Sequence, residues 1–404
     1  MRKFLILILP LLVACAGEQP GALRRTAPRR AGMDPVKLSR VDSVIRSSIA
    51  GGNMSGAVLS VVRGDRIVYL KAYGNRQVVP DTVAMTPETV FDLASLSKCV
   101  GTTLSFLQLV EQGQVRLTDP VRRYIPDFQP WTDPETGETV EITVRDLLTH
   151  ASGLTPYLGV QGLVDRFGEN CPDSTMRYIA TEVRRNFRPG SDFMYSCLNF
   201  VTLQRILEGI TGERLADYAQ HHVFDALGLK HTCYEPKAEH PDILPLVAPT
   251  EVQEDGRPLL GEVHDPLARR LNGGNSGNAG VFSSAEDLSV IAAAIMGGGA
   301  VHGRRILGPA TVHAMAAIPA ENAPHIGRAL GWDVCSDHAG LRGDLTSRTR
   351  TLCHTGYTGT SMIIDLDSRT AVILLANRCH PTDDGSLART RACVANIVAG
   401  AITD

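Results

Sequence analysis

The stretch FDLASLSKCVGTTLSFLQLVEQG, residues 91–113, begins as the end of a strand and continues as a helix. Two serines and a lysine stand where that helix starts, at positions where a packed helix gains nothing from them. Ser95 and Lys98 are three residues apart, so on a helix both side chains lie on one face within reach of each other. Ser97 is adjacent to Lys98 and points elsewhere. The chain has six lysines among its 40 basic residues, and only Lys98 has a serine three positions before it. Arginine, which supplies most of the other positive charge, cannot give up its proton. A buried lysine can, because desolvation lowers its pKa, and it can then take the proton of a serine hydroxyl. The start of the helix adds backbone N–H groups suited to a developing oxyanion. A bare Ser-x-x-Lys is short, and a helix beginning with a solvated lysine has the same pattern.

At 404 residues and 43% hydrophobic, the chain can bury one large core or two joined ones. A net charge of −3 offers no electrostatic footprint for nucleic acid. The first residues, MRKFLILILPLLVAC, combine a basic start with an apolar run too short to span a bilayer comfortably. They end in Leu-Val-Ala-Cys, which resembles a bacterial lipobox with cleavage before Cys15 and lipid on its sulfur. Residues 1–15 are therefore expected to be a lipoprotein signal peptide. An ordinary signal peptide with a chance cysteine would also export the chain. Residues 16–33, rich in Pro, Gly and Arg with no apolar period, are expected to be a tether. These features place the protein on the bacterial cell envelope, lipid-anchored, on a periplasmic or extracellular face. The other eight cysteines (99, 171, 197, 233, 335, 353, 379 and 393) are scattered singly, without zinc spacing. Some are candidates for pairing and others for small buried hydrophobes.

From residue 34, a helical stretch leads to GAVLSVVRGDRIVYLKAYG, two β-rich runs around an Arg-Gly-Asp turn. The middle is mostly helical. Thr143 with Asp146, and Ser283 with Glu286, have the spacing of capping boxes. Strand character returns after about residue 325, where TSMIIDLD and RTAVILLANR flank a turn at Asp367–Ser368, and residues 387–402 form a closing helix. The expected fold is α/β (α+β): an antiparallel sheet built from both chain ends and flanked by helices, with an inserted, mainly helical subdomain, all within residues 34–402.

Two further stretches bear on Ser95. PGSDFMYSCLNF (189–200) places Tyr195 before an apolar helical run, and LCHTGYTGTSMIIDLD (352–367) places His354-Thr355-Gly356 on a strand edge, with glycines that would let a ligand approach the backbone. Ser-x-x-Lys, a tyrosine element and His-Thr-Gly, in this order, resemble the β-lactamase-related serine hydrolases: class C β-lactamases, low-mass penicillin-binding D-Ala-D-Ala carboxypeptidases and related esterases. FDLASLSK, DPVRRYIPDF, ITVRDLLTHASGL and GEVHDPLARRLNGGNSGNAGVFSSAEDL resemble segments of the same family, and the likeness extends over about residues 35–400.

The resemblance implies an acyl-enzyme on Ser95, with Lys98 and Tyr195 sharing the proton transfers and no metal or organic cofactor. The backbone N–H groups of Ser95 and Tyr357 would form the oxyanion hole, and Thr355 would hold a carboxylate or polar tail. Substrates would be D-Ala-type peptides, small esters or amides, or β-lactams. The sequence departs from the pattern twice. Cys197 stands where β-lactamases have asparagine, and a thiol is a weak hydrogen-bonding group; Asn199 could substitute if that segment is helical. His354 replaces a lysine, which implies a weaker, pH-dependent anchor for a carboxylate. Cys197 also motivates an alternative, a non-catalytic protein that binds penicillin or peptidoglycan peptides. His264-Asp265 is expected to shape a loop, His150 to satisfy loop backbone groups, and His221-His222 to lie on a surface helix without a metal frame.

Overall fold

The computed structural model describes residues 22–404. The signal-peptide and lipidation readings at residues 1–15 lie outside them. The main sheet runs in the order Arg24–Arg25, Arg66–Gln77, Gly56–Arg63, Thr370–Ala376, Ser361–Asp365, Thr351–Thr355, so its strands come from both ends of the chain. All pairings along this path are antiparallel except that of Arg24–Arg25, which is parallel. The hairpin turns through Gly64, whose φ of +62° a side chain would resist.

Strand alternation divides the core in two. Val58, Val62, Met362, Ile364 and Ile373 face the inserted helical part, including Ala285–Met296. Leu59, Val61, Cys353, Ile363 and Leu374 face the terminal helices Val41–Ala50 and Ala388–Gly400. Coverage on both faces explains why Gly56–Arg63 is an almost unbroken apolar run, fully buried up to its last residue.

Local expectations fare unevenly. Thr143 and Asp146 form a reciprocal capping box. At the other proposed box the register is off by one: Ser284 is the N-cap and accepts from Asp287 N–H, while Ser283 lies in a strand. The Asp287 carboxylate is not available to close that box, because it accepts from the N–H groups of Lys230 and His231. Residues 23–33, expected to belong to the tether, are part of the fold: Leu23 and Met33 are buried, and Arg24–Arg25 extends the sheet. The eight cysteines within the described residues are all free thiols. Among those residues, no helix is long and apolar enough to cross a membrane.

Candidate active site

The short strand Val90–Asp92 pairs with Val281–Ser284 and delivers the chain to Ala94, a non-glycine residue at φ +46°. Such conformations cost about 1–3 kcal/mol and persist only where the surroundings hold them. Here Asp92 does so: one carboxylate oxygen accepts from Ala94 N–H (2.8 Å), and the other accepts from His264 N–H (2.7 Å). His264 thus braces this loop, as expected of it. Ser95 follows in a 3₁₀ turn, and Lys98 opens a π-helical turn, Lys98–Thr103, before the regular helix Leu104–Glu111. The three-residue spacing works, through two irregular turns instead of an α-helix. Lys98 is fully buried, and its Nζ donates to Ser95 Oγ (2.9 Å) and to the carbonyl of Asn278 (2.8 Å). Ser97 Oγ accepts from Val281 N–H, a framework contact that separates it from Ser95.

Tyr195 comes to the same place from the segment preceding the helix Cys197–Thr211. Its ring lies 5.1 Å from Lys98 Nζ, and its hydroxyl is buried with no hydrogen-bond partner among the described residues. His150 does more than satisfy its loop. Its Nδ1 accepts from Ser196 N–H (3.1 Å) and faces the Asn199 amide (3.1 Å), and its ring packs 4.4 Å from the Tyr195 ring. Asn199 is helical but supports His150 and Ser152, so it does not stand in for the asparagine missing at Cys197. The nearer amide is that of Asn278, whose Nδ2 is buried and unpaired. It lies in the family-like segment 261–288, 180 residues from Lys98, but no spacing there singled out this residue.

His354 and Thr355 end the edge strand Thr351–Thr355 and, with Ser95, Tyr195 and Tyr357, line a cavity of about 230 Å³. The glycine that follows serves packing: a Cβ on Gly356 would sit 2.2 Å from the Leu93 carbonyl and 2.1 Å from Thr360 Oγ1. The close approach expected of a ligand is made here by the segment that carries Ser95. Thr358 and Thr360 tie the two together by donating to the Asp92 and Leu93 carbonyls (2.7 and 2.9 Å).

Burial, reinforced by the charges of Arg328 and Lys98, keeps the His354 pKa well below the usual histidine range. His354 is therefore neutral near pH 7, and the pH-dependent anchor expected of it is absent there. Arg328, also on the cavity wall, is buried and paired with Asp333 (3.0 Å), with its Nη2 unpaired. Burial alone would lower the Lys98 pKa, as the sequence suggested, but Cys197 and Tyr195 outweigh it and hold Lys98 above its ordinary range. Burial raises Cys197 and Tyr195 in turn, against the pull of the Lys98 charge. Among the described residues, one cluster has metal-ligand chemistry: His264, Cys379 and Asp383 each offer an atom within 4.8 Å of the others. Arg378 already donates to Cys379 Sγ (3.2 Å) and pairs with Asp383 (2.6 Å), filling the cation's place.

A serine at a helix start, a buried lysine bonded to it and a tyrosine over that lysine, held between a two-ended sheet and a helical insert, are the arrangement of a serine hydrolase. The chain belongs to the beta-lactamase family, whose model, described as Beta-lactamase, matches residues 41–396. It is 30% identical over 394 residues to the "Putative D-alanyl-D-alanine carboxypeptidase" of Salmonella agona, covering 91% of this chain and 89% of that protein. Among solved structures it is similar to EstCE1, described as a hydrolase with promiscuous acyltransferase activity: TM-score 0.71, 25% identity, 90% of this chain and 99% of that one. It shares its fold with unliganded simvastatin synthase from Aspergillus terreus: TM-score 0.65, 21% identity, 90% and 98% covered.

Proposed function

We propose that this hydrolase works through an acyl-enzyme on Ser95, with Lys98 taking the serine proton and Tyr195 passing one to the leaving group. The observation that carries this reading is the fully buried Lys98 Nζ, which is hydrogen-bonded to Ser95 Oγ at 2.9 Å. The N–H groups of Ser95 and Tyr357 then receive the oxyanion. Tyr357 N–H is suited to it because it takes no part in the backbone hydrogen bonds of its own loop. A water hydrolyses the acyl-enzyme by the reverse proton path.

The favoured substrates are small uncharged esters. A carboxylate tail would meet a neutral His354 and an Arg328 already neutralised by Asp333, while the cavity of about 230 Å³ suits a short acyl chain. A D-Ala-terminated peptide is the second reading. It is favoured by the name of the Salmonella relative and by the unpaired Nη2 of Arg328. Side-by-side kinetics on p-nitrophenyl acetate and butyrate, a D-Ala-D-Ala peptide and a penicillin decide between them. We expect kcat/KM for the esters to exceed that for the peptide by at least about tenfold, and the opposite order would sink the ester reading. A penicillin adduct that forms on Ser95 without turnover of any probe would return the protein to the binding-only alternative raised by Cys197.

The lipobox-like Leu-Val-Ala-Cys supports attachment to the envelope through Cys15. Full-length protein made in a bacterium should fractionate with membranes and gain the mass of a diacylglyceryl thioether, and Cys15→Ala should abolish both. An unlipidated wild type would remove the anchor.

A further inference from the structure

The strand-edge loop that carries the oxyanion donor is held from behind by two arginines outside the cavity. Arg391, in the first turn of Ala388–Gly400, donates through Nη2 to the carbonyls of Gly356 (3.3 Å) and Thr360 (3.0 Å). Arg378, just beyond the last sheet strand, donates through Nε and Nη2 to the Tyr357 carbonyl (2.9 and 2.7 Å). We propose that Arg391 and Arg378 are positioning residues for the Tyr357 N–H as an oxyanion donor, Arg391 aiming and polarising it and Arg378 fixing the adjoining peptide plane. The inference rests on the acyl-enzyme reading above and assigns it a further part.

The argument is one of peptide geometry. The Gly356 carbonyl and the Tyr357 N–H belong to a single planar trans unit, in which C=O and N–H point in opposite directions. A guanidinium bound to the carbonyl from one side therefore turns the N–H to the other. Gly359 N–H reaches the same carbonyl (3.1 Å), so the plane is held by two donors. Hydrogen bonds accepted by a carbonyl also strengthen donation by the N–H of the same amide, by about 10–30% per bond, and a charged donor does so most.

The next plane is fixed just as firmly by Arg378. The Tyr357 side chain adds further restraints: its hydroxyl donates to Asp383 (2.5 Å), its ring lies 4.7 Å from the Arg378 guanidinium, and the His264 ring stacks on it at 5.7 Å. Asp383 in turn pairs with Arg378 (2.6 Å). Carbonyl, ring and hydroxyl of Tyr357 are each engaged, and its N–H alone is left without an acceptor in the loop's backbone network. Preorganised donors of this kind give an oxyanion hole its value, since they need no reorganisation when charge develops.

Arg391→Gln, Arg391→Lys and Arg378→Gln test this against wild type with a p-nitrophenyl ester, alongside a phenylboronic acid whose tetrahedral adduct on Ser95 places an oxygen in the hole. Losing an oxyanion donor outright typically costs about 10²–10³ in kcat, so misaiming one is expected to lower kcat by about 10–100-fold in Arg391→Gln. KM should move less than threefold, and boronate affinity should fall in step with kcat/KM. Arg391→Lys, which keeps a charged donor, should recover part of the loss. A purely structural role would lower the melting temperature and leave kcat and boronate affinity in the folded fraction unchanged. Kcat within threefold of wild type in folded Arg391→Gln, or in Arg391→Lys and Arg378→Gln should that variant not fold, overturns the proposal. A wild type without Ser95-dependent turnover would instead overturn the acyl-enzyme reading.

Discussion

Ser95→Ala is expected to reduce ester turnover on the order of 10⁶-fold, the scale at which removing a serine nucleophile acts on kcat in a comparable relay. That corresponds to about 8 kcal/mol of barrier. The fold should be unaffected, because Ser95 Oγ makes one side-chain hydrogen bond, to Lys98, and Ala is compatible with a 3₁₀ turn. Ser97→Ala makes the informative comparison. It removes the acceptor of Val281 N–H inside a buried strand pairing, so it should cost stability, on the order of 1–3 kcal/mol, and little chemistry. Intact-mass spectrometry with a slow ester and a penicillin, with melting curves for both variants, reads the two effects separately. An adduct that survives in Ser95→Ala would place the nucleophile elsewhere.

Lys98→Arg is expected to lower kcat by about 10²–10⁴-fold, the usual contribution of a positioned proton-transfer group. Arginine keeps the charge but cannot act as a base near neutral pH. The wild-type pH profile tests the same role. Only the unprotonated amine can take the Ser95 proton, and Cys197 and Tyr195 hold the Lys98 pKa above its ordinary value. The active fraction therefore grows as pH rises, and kcat/KM should climb by up to a decade per pH unit between about pH 7 and 10. His354, kept neutral to well below its ordinary pKa, should add no limb near pH 6–7. Because Lys98 and Tyr195 interact strongly, the limb belongs to the pair as a unit. A flat profile across that range, or near-normal rates in Lys98→Arg, would rule out lysine as the base.

The site was legible in sequence where chemistry imposes a local spacing. Ser95 and Lys98 meet because three residues separate them, and this held although the backbone there is 3₁₀ and then π instead of α. The two-ended sheet was legible because β-rich runs near residues 56–77 and 361–376 bracket a helical middle. The capping register at Ser284 was missed because adjacent serines offer the same cap, and only Asp287's contacts with residues 230–232 distinguish them. The ordered start near Leu23 was missed because two arginines with no apolar period can still add a strand to an open sheet edge.

What local pattern could determine was the Ser95–Lys98 pair, Tyr195 ahead of its helix and the topology class, since each depends on side-chain type at a short spacing or on a β-rich run. Tertiary structure alone decided the charges and the orientation of the site. Burial set His354 neutral, Asp333 neutralised Arg328, and the Lys98 carbonyl partner came from a loop 180 residues away. Arg378 and Arg391 reach the Tyr357 loop from elements that carry no motif at all. Desolvation and long-range hydrogen bonds depend on which surfaces meet, and that is settled only when the sheet closes over both ends of the chain.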